Sequence, residues 1–287
     1  MDVRSTDKAM KSAADAFSAR LHAAPDMRLA RFMSELICDL ADLADRMNMS
    51  REEMQAVIGF LTEVGETCSE RRQEWVLLAD VLGLSSAFET RQSRLPENAT
   101  PNTLAGPFYR PGAPRRGDNE SICLDGIGTP LLFTAKVSNG DREPVVSARI
   151  EVWHANGDGV YENQAPDMQP EFNLRGTYNT GPDGSVRIRT VRPSGYRIPD
   201  DGPVGKLLRQ LGLPTRRPAH LQFRITASGY QTLITHVFDR NDPAIGLDPL
   251  FAVDPALLGD FTKSAGDGVE CAFTFILARE ENFQKPT

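Results

Sequence analysis

The sequence predicts an all-β sandwich preceded by an α-helical domain, and three observations lead to this fold class. Apolar residues recur at intervals of three and four from about Thr6 to Leu84, which is the period of an amphipathic helix. Residues 95–114 are dense in proline, asparagine and glycine, which indicates a connector. Beyond the connector, short segments alternate apolar and polar residues, as half-buried strands do. We therefore expect a helical domain over residues 1–95 and a β-sandwich domain over residues 96–287.

The helical half carries local signals for where its helices begin and end. Pro25 suits the first turn of a helix, and Ser50–Glu53 has the form of a capping box that opens another. Gly83 is placed to close the later helix EWVLLADVL. One apolar face is made by Leu29, Phe32, Met33, Leu36, Ile37, Leu40 and Leu43. Such faces need a surface to pack against. A cap on the same chain and a dimer interface both supply one, and the two are compatible.

The second half contains six segments that are short and rich in β-branched and aromatic residues. They are LLFTAKVS, ARIEVWHA, GSVRIRTV, AHLQFRITA, QTLITHVF and VECAFTFILA. Asn-Gly, Asp-Gly and Ser-Gly pairs lie between them and favour tight turns. Strands at this spacing, without helices between them, predict an antiparallel sandwich or barrel.

Charge and composition exclude several classes of function. The formal charge of −7 and the isoelectric point near 5.3 argue against a nucleic-acid partner, which needs a concentrated basic surface. No segment approaches the roughly 20 apolar residues of a membrane span, and the start lacks the apolar core of a signal peptide. The four cysteines are far apart with no Cys-x-x-Cys pair, so neither a zinc site nor a disulfide framework is indicated. We expect a cytoplasmic protein.

Few residues remain as candidates for chemistry. The hydrolase motif Gly-x-Ser-x-Gly, a phosphate-binding glycine loop and His-Glu-x-x-His are all missing from the sequence. Of the four histidines, His22 lies in the helical half, and His154 lies where a strand enters a glycine-rich loop, a place where histidine more often holds the loop by hydrogen bonds. His220 and His236 are left. Tyr161 and Tyr196 lie in tight loops, where a tyrosine is usually a packing residue.

Five motifs, in this order along nearly the whole chain, resemble those of the bacterial intradiol ring-cleavage dioxygenases, the group of catechol and hydroxyquinol 1,2-dioxygenases. The motifs are EWVLLADVLGLS, GPFYRPGAP, IEVWHANGDGVY, PSGYRIPDDGPVG and RPAH. The resemblance implies a homodimer joined through the helical domain, with room for a bound lipid in that interface. It also implies a non-haem Fe(III) centre that uses O2 to open the ring of an aromatic diol.

The same resemblance implies the ligands of the iron. Tyr161, Tyr196 and His220 match three of the four family ligands, whereas Gln222 stands where the family has its second histidine. Phenolates are hard anionic donors that favour ferric iron, and two of them with a hydroxide balance its three charges. Substrate would release one proton to the hydroxide and one to the departing Tyr196. Arg217 matches the family arginine that faces the substrate ring and stabilises negative charge on it.

The residues expected to line the substrate pocket also follow from the resemblance. They are Leu77, Asp80, Pro107, Phe108, Ile198, Pro199, Leu250 and His236. Leu77 and Asp80 are three residues apart and share a helix face, so a carboxylate would point toward the diol. In this family an acid at that place accompanies a third ring hydroxyl. The segment from Thr235 to Val253 also resembles the hydroxyquinol branch, so we expect hydroxyquinol to be cleaved to 3-hydroxy-cis,cis-muconate, a tautomer of maleylacetate.

The glutamine at 222 leaves an open question. Its amide oxygen is a weaker donor than imidazole, so we expect iron to bind substoichiometrically, with Gln222 a weak ligand or hydrogen-bonded to a metal-bound water. His236 stands where catechol enzymes usually have glutamine, and it can reach the metal only if the hairpin places it opposite Gln222 rather than Leu221. Two other functions also remain open: a catalytically silent homologue that binds an aromatic compound, and an enzyme with an altered substrate such as an aminophenol.

Overall fold

A computed structural model describes residues 13–70, 72–93 and 95–280. The chain forms two compact units, Met1–Glu66 and Thr67–Thr287. Among the described residues, no helix combines the length and the apolar character needed to cross a membrane.

The first unit is helical. Among the described residues, α1 covers residues 13–20, α2 runs over Met27–Arg46 and α3 over Arg51–Thr67. Asp26 caps α2 by accepting a hydrogen bond from the Leu29 amide at 2.9 Å. Pro25 therefore precedes the cap and does not lie in the first turn, because the aspartate side chain takes the capping role. The capping box of α3 is confirmed: the Ser50 amide donates to Glu53 Oε2 (2.7 Å), and the Glu53 amide donates to Ser50 Oγ (3.1 Å).

Helix α2 presents an exposed apolar stripe. Its members recur at three- and four-residue intervals and are Leu29, Phe32, Leu36, Leu40 and Leu43. Each is more than a third exposed in the single chain, and Phe32 reaches 62%. An apolar face of this kind is typical of a surface that meets another molecule.

The second unit begins with two helices, α4 over Glu74–Val81 and α5 over Leu84–Ser93. Gly83 separates them at a φ of +74°, the left-handed conformation that ends a helix most easily at glycine. By compactness these two helices belong with the sheets, so the compact boundary lies earlier than the change of sequence period near Leu95. The fully buried Glu74 explains part of this association, since its carboxylate accepts from the Val204 amide at 3.2 Å.

Among the described residues of the second unit, nine strands form two sheets. In chain order they are β1 Pro130–Asn139, β2 Arg149–Trp153, β3 Arg175–Asn179, β4 Ser185–Val191, β5 His220–Thr226, β6 Leu233–Asp239, β7 Leu258–Gly259, β8 Thr262–Lys263 and β9 Val269–Leu277. One sheet has the order β4-β1-β9-β8 and the other β3-β2-β5-β6-β7. The short helix α6, Pro203–Gln210, lies between β4 and β5 in the chain.

The two sheets bury a common apolar core, which is the arrangement of a sandwich. Its members come from both sheets and include Phe133, Ile150, Ile188, Phe223 and Phe275, each fully buried. The expectation of purely antiparallel sheets is wrong in two places. Strand β1 pairs with β9 in parallel, and β6 pairs with β7 in parallel. A parallel pair needs a long connection between its strands, and alternation of residues within a strand carries no signal for it.

The hairpin of β5 and β6 fixes which residues share a face. His220 pairs with Phe238, Leu221 with Val237, and Gln222 with His236. Directly opposed residues of an antiparallel pair project to the same face of the sheet. His236 therefore lies on the face that carries Gln222, and the alternative register opposite Leu221 is excluded.

Candidate active site

Tyr161 is held by a compact loop after β2. The Asn156 side-chain oxygen accepts from the amides of Asp158 and Val160, each at 3.0 Å, and so folds the Gly-Asp-Gly turn that precedes the tyrosine. The Tyr161 amide in turn donates to the Gln164 side chain at 2.9 Å. These local bonds fix the backbone from which the phenol projects inward, and Tyr161 is 1% exposed.

A close glycine contact brings the second tyrosine to the first. Gly159 has a φ of +80°, and a Cβ there would lie 2.7 Å from the Gly195 carbonyl oxygen, so only glycine allows the two loops to approach. Tyr196 follows directly, and its carbonyl oxygen accepts from the Arg217 amide at 2.7 Å. The loop is thereby attached to the segment that leads into β5.

The two phenols form one buried aromatic cluster with Phe108. The Phe108 and Tyr161 rings stack with centroids 4.2 Å apart, and the Tyr161 and Tyr196 rings meet edge to face at 5.5 Å. Burial, and then the neighbouring Tyr196, raise the pKa of Tyr161 well above its ordinary value. An ionised phenol in this place needs a compensating positive charge beyond the one on Arg217.

His220, at the start of β5, is oriented for metal binding. Its Nδ1 donates to the Pro218 carbonyl oxygen at 2.7 Å, and because a carbonyl only accepts, the proton of the neutral ring lies on Nδ1. Burial, and then Arg217, lower the pKa of His220 well below its ordinary value, so the ring stays neutral. Nε2 therefore carries the lone pair of the ring, the one that can bind a metal.

Gln222 lies between two of the expected ligands. Its Nε2 donates to the Tyr161 hydroxyl at 3.1 Å and contacts His220 Nε2 at 3.4 Å. Its Oε1 is buried and has no hydrogen-bond partner. An unpaired buried carbonyl is costly, which makes this atom a candidate to meet a cation or a bound water.

His236 also faces the site with one nitrogen unpartnered. A 2.5 Å hydrogen bond joins its Nδ1 to Thr103 Oγ1, whereas its Nε2 is buried without a partner. The rings of His236 and His220 are 4.8 Å apart by their centroids. Burial, and then His220, lower the pKa of His236 well below its ordinary value. Both histidines are thus neutral and adjacent.

Arg217 is clamped over the site by a buried carboxylate. Its Nε and Nη2 donate to Asp248 at 3.1 and 3.2 Å, and its Nη1 donates to the Tyr196 hydroxyl at 3.4 Å. Burial alone would lower the pKa of Arg217, but Tyr196 and Asp248 outweigh burial and raise it. The guanidinium is therefore a fixed positive charge against the second phenol.

The expected pocket residues differ in their burial. Phe108 is half-buried against the tyrosines, and Ile198 and Leu250 are buried. Leu77 and Asp80 are half-buried on α4. Pro107 and Pro199 are exposed.

Asp80 lies in partly buried surroundings that affect its ionisation. Burial raises its pKa, whereas a hydrogen bond from Ser85 and the charge of Arg217 act in the opposite direction. The Arg217 charge thus reaches α4 as well as Tyr196.

The other two histidines lie outside this cluster. His154 is hydrogen-bonded at both nitrogens, to the Ala155 carbonyl oxygen (2.7 Å) and to Thr190 Oγ1 (2.6 Å), as expected for a histidine that holds a loop. His22 is exposed.

Three contributors to the site were missed by sequence reasoning. Thr103 comes from the connector, and Asp248 comes from the loop after β6. The third is the buried ion pair of Glu162 and Arg175 (2.7 Å), which lies beneath Tyr161, with the Arg175 guanidinium 5.8 Å from the tyrosine ring. Glu162 directly follows Tyr161 in the chain, and this adjacency was the one feature of the sequence that could have indicated its place near the site.

The donor set fits a ferric ion better than zinc or calcium. Among the described residues no three His, Cys, Asp or Glu side chains cluster as metal ligands. Two phenols, His220 Nε2 and the unpartnered atoms of Gln222 and His236 converge instead. Phenolate oxygens with imidazole nitrogens suit Fe(III).

Comparison with known proteins places this geometry in context. A family model described as "Dioxygenase" matches residues 104–279, and one described as "Catechol dioxygenase N terminus" matches residues 26–100. The chain is 43% identical over 250 residues to a hydroxyquinol 1,2-dioxygenase of a Rhizobium species, covering 87% of this chain and 85% of that protein. It is 38% identical over 259 residues to a 6-chlorohydroxyquinol 1,2-dioxygenase of Cupriavidus pinatubonensis, covering 90% and 94%.

A solved structure is similar over its whole length. The hydroxyquinol 1,2-dioxygenase of Pseudomonas putida superposes with a TM-score of 0.91 at 34% identity, covering 95% of this chain and 100% of that one.

Proposed function

Since the chain belongs to the intradiol ring-cleavage dioxygenases, we propose that it cleaves hydroxyquinol, with O2, to 3-hydroxy-cis,cis-muconate, the tautomer of maleylacetate. Both oxygen atoms enter the product, and the bond between two adjacent hydroxylated carbons breaks. The observation that carries the proposal is the convergence of Tyr161, Tyr196, His220 and Arg217 in one buried cluster.

The proposed cofactor is Fe(III), held by Tyr161, Tyr196 and His220, with a fourth position at the pair of Gln222 and His236. When bound, the metal supplies the positive charge that ionises the phenols and the redox capacity that lets the diol react with O2. Burial raises the pKa of Tyr161, so the phenol would need such a charge to ionise.

The protein's own residues are proposed to bind the diol and move its protons. The Tyr196 oxygen would take one substrate proton when the diol binds. Arg217, held by Asp248, then faces the substrate and stabilises the negative charge that the diol retains. Phe108 stacks on Tyr161 and limits access of water to the second phenol.

Asp80 is the proposed determinant for the third hydroxyl of hydroxyquinol. It lies half-buried on α4, and Leu77 shares its helix face. A third ring hydroxyl can donate a charge-assisted hydrogen bond to this carboxylate, which plain catechol cannot do. We propose that Leu77, Pro107, Ile198, Pro199 and Leu250 complete the wall of the pocket.

We also propose that the chain forms a homodimer through its helical domain. The exposed stripe of α2, which includes Phe32 and Leu40, supports this proposal, since apolar faces of this length rarely stay uncovered. A lipid tail bound in that interface would cover whatever the partner leaves exposed.

The catalytically silent homologue is not favoured. Loss of one family histidine supported that possibility, but Arg217 and both tyrosines lie together in the cluster, and the similar proteins are named as enzymes.

The test is to load purified protein with iron in air and follow O2 uptake with hydroxyquinol, catechol and an aminophenol. We expect one O2 consumed per hydroxyquinol and a product with the mass of substrate plus two oxygen atoms. Slower uptake with catechol is expected. Absence of uptake with every diol from iron-loaded, folded protein would refute the proposed function.

A further inference from the structure

Two neighbouring strands place three potential metal donors on one face. His220 and Gln222 alternate along β5, and His236 lies directly opposite Gln222 on β6. The position that the family resemblance assigns to a second histidine and the position of this chain's extra histidine are therefore cross-strand neighbours. Cβ atoms of such a pair are about 4.5–5.5 Å apart, so either side chain can reach a shared centre.

The two histidines are prepared in the same way. Each is held through Nδ1, His220 by the Pro218 carbonyl at 2.7 Å and His236 by the Thr103 hydroxyl at 2.5 Å. A metal-binding histidine almost always has its other ring nitrogen held by an outer partner, which fixes the ring and its tautomer. Each leaves Nε2 for the site, and His236 Nε2 is buried without any partner.

Gln222 already has a different task. Its amide nitrogen donates to the Tyr161 oxygen at 3.1 Å, a bond that becomes stronger when that oxygen is a phenolate. An amide oxygen is also a poorer ligand than imidazole for a site of this kind. Assigning the metal to His236 lets Gln222 keep its hydrogen bond to Tyr161.

We propose that His236 supplies the second imidazole of the metal centre, and that Gln222 stabilises the Tyr161 oxygen as a hydrogen-bond donor. Histidine and glutamine have thus exchanged strands relative to the ligand pattern implied by the family. The inference rests on the proposed ferric site. With His236 as a ligand, we expect one iron per chain instead of the substoichiometric iron expected from the sequence.

Thr103 is the positioning residue for this ligand. Its hydroxyl is hydrogen-bonded to the His236 ring nitrogen Nδ1, and its amide donates to the Ile234 carbonyl at 2.8 Å, which anchors it to β6. Thr103→Val removes this hydrogen-bond partner without changing the shape of the side chain. Removing such an outer partner typically weakens metal binding roughly ten- to a hundredfold.

The first experiment counts coordinated histidines in the iron-loaded wild-type protein. Histidine labelled with 15N is incorporated, and pulsed EPR resolves nitrogens bound to Fe(III). We expect two coordinated imidazoles and one iron per chain. A single coordinated imidazole would overturn the proposal. If the wild type binds no iron and consumes no O2, the proposed function itself fails, which is a separate result.

The second experiment compares variants by iron content, by chelator competition and by the visible tyrosinate absorption. We expect His236→Gln to lose more iron per chain than Thr103→Val does. We expect Gln222→Ala to keep its iron while its visible band shifts, because the Tyr161 oxygen loses a donor. Gln222→His should gain no iron. The double exchange, Gln222→His with His236→Gln, should restore binding.

Thr235→Val is the matched control. Thr235 precedes His236 on β6, and like Thr103 it is buried. Its hydroxyl, however, donates to the Pro101 carbonyl at 2.8 Å and does not contact the histidine ring. We expect it to retain full iron. If His236→Gln fails to fold, the proposal is tested by the difference in iron content between Thr103→Val and Thr235→Val. Full iron and an unchanged spectrum in His236→Gln, or equal losses in the two threonine variants, would overturn the proposal.

Discussion

Replacing Asp248 by asparagine tests whether Arg217 depends on its buried clamp. The carboxylate accepts two hydrogen bonds from the guanidinium, at 3.1 and 3.2 Å, and the two side chains are 3% and 2% exposed. The same carboxylate accepts from the amides of Leu250 and Ala252 at 3.4 and 3.2 Å. Asp248→Asn keeps one acceptor oxygen, but it removes the charge and turns an N–H group toward the arginine.

The magnitude follows from this burial. Removing one partner of a buried ion pair costs about 3–5 kcal/mol, because the remaining charge is left uncompensated. The retained oxygen reduces this penalty, so we expect a loss of about 3 kcal/mol in the free energy of unfolding. Freed from one side, the guanidinium is expected to shift toward the Tyr196 oxygen, which lies 3.4 Å from its Nη1. We therefore also expect kcat/KM for hydroxyquinol to fall by a factor on the order of ten or more, the value of one charged hydrogen bond.

Urea unfolding and steady-state O2 uptake measure the two effects, and iron per chain is recorded in parallel. Asp260→Asn is the matched control, because Asp260 pairs with Arg240 at 2.7 Å while their side chains are 69% and 48% exposed. An exposed pair contributes less than about 1 kcal/mol. If both variants lose equal stability, or if Asp248→Asn retains wild-type kcat/KM, the clamp does not act as described.

The remaining predictions concern the phenols, the pocket carboxylate and a structural histidine. Tyr161→Phe and Tyr196→Phe should each remove or strongly shift the visible absorption, since each deletes an anionic donor while ring packing is kept; two unchanged spectra would contradict the ligand assignment. Asp80→Ala should narrow the preference for hydroxyquinol over catechol by a factor on the order of ten, and an equal loss for both substrates would make Asp80 merely structural. Burial lowers the pKa of His154 to about 4 from 6.5, so the unfolded chain binds the proton first and stability falls as pH drops from 6.5 toward 4, by up to roughly 3 kcal/mol. Acid titration of stability for His154→Gln should show a shallower fall, and an unchanged slope would contradict the assignment.

The strands that the sequence predicted are those whose own residues carry the pattern. β5 and β6 alternate clearly and fall within one or two residues of the predicted segments. β3, over Arg175–Asn179, was missed because arginine, glycine and asparagine have little β-propensity. Arg175 is buried there with Glu162 as its ion-pair partner, a contact that no local pattern shows. Helix α6 was missed because Gly202 and Pro203 indicate a turn, although proline also suits a first helical position.

The residues of the site also fall into two groups, those that the sequence motifs predicted and those that only tertiary packing brings in. Tyr161, Tyr196, His220 and Arg217 were predicted through their motifs, and the structure brings them together. Asp248 lies 31 residues after Arg217, and Thr103 lies 133 residues before His236. These contacts depend on tertiary packing, and no spacing rule predicts them. Whether His236 lies opposite Gln222 depends on the length of the hairpin loop, and a difference of one residue changes the answer. The sequence alone could not determine that length.

The parallel pairing of β1 with β9 has a consequence for biosynthesis. The sheet β3-β2-β5-β6-β7 carries His220 and His236, and all its strands lie within residues 149–259. This first sheet can therefore begin to form while the chain is still being translated. The opposite sheet forms in two stages. β4 can pair with β1 early, but β9 lies between β1 and β8, so Leu131 gains its neighbour Val269 only after β9 has been made. Pairing across such a separation is entropically slow. The β1–β4 pair can cover part of the apolar inner face of the first sheet, and the rest stays uncovered until β9 leaves the ribosome. We expect this interval, rather than any step at the metal site, to be when the nascent chain most needs a chaperone.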